Sequence, residues 1–181
     1  MTLGVIESKK QSRVIGGAMQ LIQAITPIVA ATSCTFTNIP QNFNHLFVQA
    51  IARSSYSGGG NDLVVMQLNG DGGSNYCLLR TEGSGSSLNA YVYATQSLIY
   101  LGAIAPSTAS AGYSSTIEIE IPYYTNTTFY KVIFDKVDTS ATQDINTSCY
   151  VSLNPVTSIK IYSNSSSNFT LGSQFFLYGI T

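Results

Sequence analysis

The chain has 181 residues, enough for one domain plus an extension, and long enough to bury a core without staples. Only 9% of the residues are charged, against roughly 25% in an average soluble domain, and Ser, Thr, Asn, Gln, Gly and 12 Tyr take their place. A net charge of −1 gives no electrostatic case for nucleic acid or an anionic membrane as partner, and the neutral polar surface suits β-rich extracellular or virion proteins better than cytoplasmic enzymes.

The first 31 residues differ from the rest. Lys9, Lys10 and Arg13 precede a mostly apolar run from Val14 to Ala31. Gly16, Gly17, Gln20, Gln23 and Pro27 interrupt that run, which argues against both a signal-peptide core and a membrane span. We read residues 1–31 as an N-terminal assembly arm whose apolar side chains (Val14, Ile15, Met19, Leu21, Ile22, Ile25, Ile28 and Val29) must be covered by the domain itself or by a neighbouring subunit. The stretch Met19 to Ile25 fits either a strand or a short helix.

From residue 32 the pattern is β throughout. Thr35–Thr37 runs into Pro40, which ends a ladder. Phe43–Arg53 is a long strand, and the Gly58-Gly59-Gly60 segment is a loop. Leu63–Leu68 and Ser74–Leu79 read as the two arms of a hairpin around Asn69-Gly70-Asp71-Gly72-Gly73, whose residues tolerate positive φ. The oxygens of Asn69, Asp71 and Asn75 could hold Ca²⁺ weakly, but turn chemistry explains the segment fully. Thr81–Ser87 reads as a Gly/Ser loop, followed by short aromatic strands at Tyr91–Tyr93 and Leu98–Leu101.

Thr116–Ile121 alternates most cleanly, with Ile117, Ile119 and Ile121 inward and Glu118 and Glu120 outward. Phe129–Val137 alternates less well. Ser158–Tyr162 and Gln174–Ile180 complete the set. The last strand is apolar on both faces (Phe175 and Leu177 on one, Phe176, Tyr178 and Ile180 on the other), which predicts cover on both sides. Turn signals every 8–15 residues or so predict an all-β protein, an antiparallel two-sheet sandwich of jelly-roll type over residues 32–181.

No chemistry stands out. His45 has no nucleophile or carboxylate beside it in sequence, and no nucleophile elbow or HExxH is present. Glu118 and Glu120 share a strand face at a separation a pair of catalytic acids could use, but a solvated face explains them better. Asp135, Asp138 and Asp144 read as scattered through loops or strand ends. Cys34, Cys77 and Cys149 share no short spacing and read first as buried small hydrophobes, one disulfide being the alternative. No catalytic set, cofactor or metal is expected. Tyr91, Tyr93, Tyr100, Tyr113, Tyr123 and Tyr124, flanked by Ser and Gly, are the candidate ligand or interface residues, because tyrosine gives flat amphipathic contact area.

Four segments in order carry a family resemblance: Phe36-Thr37-Asn38-Ile39-Pro40 with Phe43-Asn44-His45-Leu46, the hairpin from Leu68 to Tyr76, Ile119-Glu120-Ile121-Pro122-Tyr123-Tyr124, and Gly172 to Ile180. Together they resemble small virion structural proteins of tailed bacteriophages, of the head-decoration and tail-fibre classes. The resemblance covers about Phe36 to Ile180 and leaves the first 31 residues outside it. It implies no enzyme and no catalytic residues. The expected function is a capsid decoration (cement) protein, a homotrimer binding the major capsid protein through the arm. A tail-associated receptor-binding domain contacting host surface glycan is the alternative.

Overall fold

The structure is a computed structural model that describes residues 18–181. The described residues form twelve strands and no helix: β1 (Met19–Ile25), β2 (Ser33–Phe36), β3 (His45–Ala52), β4 (Asp62–Leu68), β5 (Tyr76–Ser84), β6 (Ser87–Gln96), β7 (Ile99–Ile104), β8 (Ser115–Pro122), β9 (Lys131–Asp138), β10 (Thr142–Tyr150), β11 (Ile159–Ser163) and β12 (Gln174–Ile180). They make two antiparallel sheets, one of order β1-β12-β3-β8-β9-β10-β5-β6 and one of order β2-β11-β4-β7. The expected sandwich is therefore present. A jelly roll has eight strands in two Greek keys; here there are twelve strands, divided eight and four.

The alternation of β8 shows how the sequence builds the core. Ile117, Ile119 and Ile121 are buried, and the residues opposite them on β3, Ala50, Val48 and Leu46, are buried with them. They meet Val64, Met66 and Leu68 of β4, Ile99 and Leu101 of β7, and Ile159 and Ile161 of β11 from the small sheet. The closing strand β12 adds Phe175 and Leu177, both fully buried. Its Gly179 lies against the ring of Phe43, in space that a Cβ would occupy. On the opposite face Phe176, Tyr178 and Ile180 are only half-buried, so among the described residues the expected second cover of this strand is absent.

Three sequence expectations need correction. First, β4 and β5 are not hairpin partners: β4 pairs β11 and β7, while β5 pairs β10 and β6, in different sheets. The Asn69–Asn75 segment is thus a corner that carries the chain from one sheet to the other. Second, the segment from Thr81 is not a loop; β5 continues to Ser84 and turns through Gly85-Ser86 into β6. Third, Asp144 does not lie in a loop or strand end: it is within β10, whose inward positions are taken by Asp144, Asn146 and Ser148 and so carry no apolar alternation.

Of residues 1–31, expected as an arm, the structure describes only the part from residue 18 onward. Met19–Ile25 is a strand, not a helix, and pairs with β12 at the edge of the large sheet of the same chain. Ile22 and Ile25 pack against the core, and Gln23 bridges to the far sheet, donating to the Thr37 carbonyl and accepting from its N–H. An edge strand next to an apolar terminal strand buries surface that would otherwise be wet, which favours this docking. Ile28 and Val29 stay exposed, as do Met19 and Leu21, while Val14 and Ile15 lie outside the described residues.

Candidate functional site

The six tyrosines do not form one site. Tyr124 is fully buried and donates to the Pro40 carbonyl. Tyr123, at φ 47°, is exposed and sits edge-on to the His45 ring at 4.9 Å. That contact gives His45 a structural neighbour; no acid or nucleophile is hydrogen-bonded to it. Tyr113 is exposed at the other end of the sandwich, beside a surface depression of about 290 Å³. There the Arg53 guanidinium donates to the carbonyls of Ser107 (2.9 Å), Ser110 (3.1 Å) and Tyr113 (3.1 Å), and so gathers the small-residue loop. Only Tyr91, Tyr93 and Tyr100 come together. Their rings stand 6.3 Å and 5.6 Å apart in sequence, and Arg80 lies over Tyr91 at 5.5 Å.

The outer face of the large sheet is the more extensive feature. The register lines up Leu21, Tyr178, Phe47, Glu120, Phe134, Thr147, Leu79 and Val92 across all eight strands. Apart from Glu120 and Thr147 this row is apolar or aromatic, and Leu21, Phe134, Leu79 and Val92 are exposed. Val132 and Ile145 extend it, and toward β6 it sinks into a groove of about 450 Å³. Glu118 faces Lys136 across the β8–β9 ladder, and Glu120 sits between Phe47 and Phe134 in a shallow depression of about 270 Å³.

The floor of the groove holds a bond that the sequence did not favour. Cys77 and Cys149 lie directly opposite each other on β5 and β10 and form a disulfide, with Cα atoms 5.1 Å apart. They are therefore not free buried thiols. Cys34 is, and burial pushes its thiol up to about 11, which keeps it protonated and unreactive at neutral pH.

On the inner face of β5, β9 and β10, between the sheets, lies a polar network whose Asp135 and Asp144 were expected in loops or strand ends. Asp144 is fully buried; its carboxylate accepts from Arg80 Nε at 2.7 Å and from the Ala103 N–H at 2.9 Å. Gly102 makes room for it, since a Cβ there would overlap the Asp144 side chain. Arg80 also holds Glu82 at 2.6 Å. Asp135 is buried beside them, receives Asn146 Nδ2 at 2.7 Å on one oxygen, and has no partner on the other. Burial pushes its carboxyl up to about 8, the Asn146 hydrogen bond opposing and the Asp144 charge adding to the rise. No apolar spacing in residues 142–150 signals this arrangement; only the paired geometry of β5, β9 and β10 reveals it.

The Asn69–Asn75 corner uses its oxygens internally. Asp71 accepts from the Gly73 N–H, Asn75 Nδ2 and Tyr150 Oη at 2.8, 2.9 and 3.1 Å, and the Asn75 and Gly73 hydrogen bonds hold its carboxyl below the usual range. Asn69, at φ 55°, accepts from the N–H groups of Thr157 and Ser158. Among the described residues no cluster of three His, Cys, Asp or Glu side chains has a geometry that could hold a metal ion, and no helix is long and apolar enough to cross a membrane. Neither a protein-family model nor a curated protein matches this chain.

Proposed function

We propose that this chain is a non-enzymatic structural protein of a tailed-phage virion, a decoration protein that cements the capsid shell. The observation that carries the reading is the mostly apolar row of exposed side chains across the outer face of the large sheet, on a chain with only 9% charged residues. Contiguous apolar patches of more than a few hundred Å² are uncommon on monomers and mark contact surfaces. The likeness of four segments to phage virion proteins supplies the setting. The major capsid protein and further copies of this chain are the partners. Residues 1–31 supply the attachment, a role supported by exposed Met19 and Leu21 on the docked β1 and by exposed Ile28 and Val29 just after it.

Quantitative mass spectrometry of purified particles tests this reading. A ratio near one copy per shell subunit is expected. Absence from particles would refute it, and a few copies per hundred would move the protein to the tail. A tail-associated domain contacting host glycan is the second reading, favoured by the cluster of Tyr91, Tyr93 and Tyr100, since tyrosine rings give flat amphipathic contact area. In that case soluble protein competes with infection, and Tyr91→Ala with Tyr93→Ala removes the competition.

A further inference from the structure

Among the described residues the large sheet ends at β6, ten residues long, with no strand on its far side. Natural sheet edges are blunted by Lys, Pro, bulges or shortness, because open N–H and C=O groups recruit other strands. Residues 87–96, Ser-Leu-Asn-Ala-Tyr-Val-Tyr-Ala-Thr-Gln, contain neither a charge nor a proline. The only register shift with β5 lies at its far end, between Tyr76 and Leu78. Leu88 and Val92 are 77% and 79% exposed, so this edge strand holds apolar side chains in solvent.

The hairpin geometry says which groups are open. Ser84 and Ser87 flank a two-residue turn, with Gly85 at φ 57° in the first turn position. The residues flanking such a turn exchange both hydrogen bonds, and the pattern then alternates. Asn89 and Tyr91 therefore bond to β5, while Leu88, Ala90 and Val92 direct their N–H and C=O groups to the open edge.

We propose that this edge pairs, antiparallel, with β6 of a second copy of the chain about a twofold axis through Ala90. That register is self-complementary. Ala90 meets Ala90, Leu88 of each copy meets Val92 of the other, and all three are the residues with free backbone groups, giving about six new hydrogen bonds. An uncharged strand meets its own copy without like-charge repulsion. The contact buries on the order of 1,000 Å², at the low end for specific interfaces, so the dimer is a concentration-dependent one with Kd around micromolar. The inference stands apart from the virion reading, because it concerns the purified chain alone.

The test is light scattering on the purified full chain from about 1 to 100 µM, with engineered cysteines to fix the register. A mass moving from monomer to dimer is expected. Ala90→Pro removes an N–H that β5 does not use, and Val92→Lys places a charge on the edge; both hold the chain monomeric. Ala90→Cys crosslinks on mild oxidation, because the paired Cα atoms lie about 5.5 Å apart. Leu88→Cys does not, because its two copies are about 13 Å apart in this register. A monomer at every concentration, a trimer, or a dimer that Leu88→Cys links as readily as Ala90→Cys would overturn the proposal. The cysteine pair decides the register even if the proline variant does not fold.

Discussion

Asp135→Asn is the sharpest probe of the buried network, because it removes one ionisable group at nearly constant shape. The side chain is 4% exposed, one oxygen is hydrogen-bonded to Asn146, and the other has no partner. Its carboxyl titrates at about 8 in the fold, against an ordinary value of 3.8. An acid whose folded value is raised is held neutral by the folded protein while the unfolded chain releases the proton. Stability is therefore fullest below about pH 4 and drains away as pH rises toward 8, the reverse of a salt-bridged carboxylate. Each pH unit inside that window costs up to about 1.4 kcal/mol, so the contribution of Asp135 falls by on the order of 4 kcal/mol between pH 5 and pH 8. That is a large part of the stability of an ordinary domain. The amide cannot ionise and keeps an oxygen for Asn146, so Asp135→Asn has a flatter profile and is the more stable protein at pH 8. Urea denaturation at pH 5, 6.5 and 8, followed by far-ultraviolet circular dichroism, measures both profiles. Equal slopes for the two proteins, or a wild type that gains stability from pH 5 to 8, would show that Asp135 is not held neutral by the fold.

Three further outcomes follow from the same packing. Arg80→Met leaves the fully buried Asp144 without its cation and lowers unfolding free energy by about 3–5 kcal/mol, read from urea midpoints at pH 7. The Cys77–Cys149 bond spans a sequence separation of 72, and its reduction, or the double Ser variant, lowers stability by on the order of 4 kcal/mol if the restriction of the unfolded chain dominates. A thermal scan with and without reductant checks this, and an unchanged midpoint would count against the bond. Gly179→Ala drives a methyl group into the Phe43 ring and costs about 1–3 kcal/mol, seen as a lower midpoint of thermal unfolding; an unchanged midpoint would mean the ring moves freely.

Much of the sandwich was legible because burial on one face leaves a period of two in the sequence. Ile117, Ile119 and Ile121 with Glu118 and Glu120 between them fix both the strand and its inner face, and the run from Gln174 to Ile180 fixes the closing strand. Val64, Met66 and Leu68 do the same for the small sheet. The Asn69–Asn75 turn residues were equally clear, since positive φ at Asn69 and Gly70 is a local demand. What the corner joins was not local. Whether the two flanking strands pair or part into separate sheets depends on β10, β11 and β7, which arrive much later or fold back from elsewhere.

The functional surfaces divide along the same line. Sequence by itself determined the all-β class, the uncharged exterior and the list of tyrosines available for contact. Tertiary structure alone decided that Tyr91, Tyr93 and Tyr100 stand together while Tyr113, Tyr123 and Tyr124 go separate ways. It alone joined Cys77 to Cys149, and brought Arg80, Asp135 and Asp144 into one buried compartment. The physical reason is common to all three. The tyrosine cluster, the disulfide and the buried ion pair each join side chains from different strands, and strand register, which no window of sequence contains, decides which of them meet.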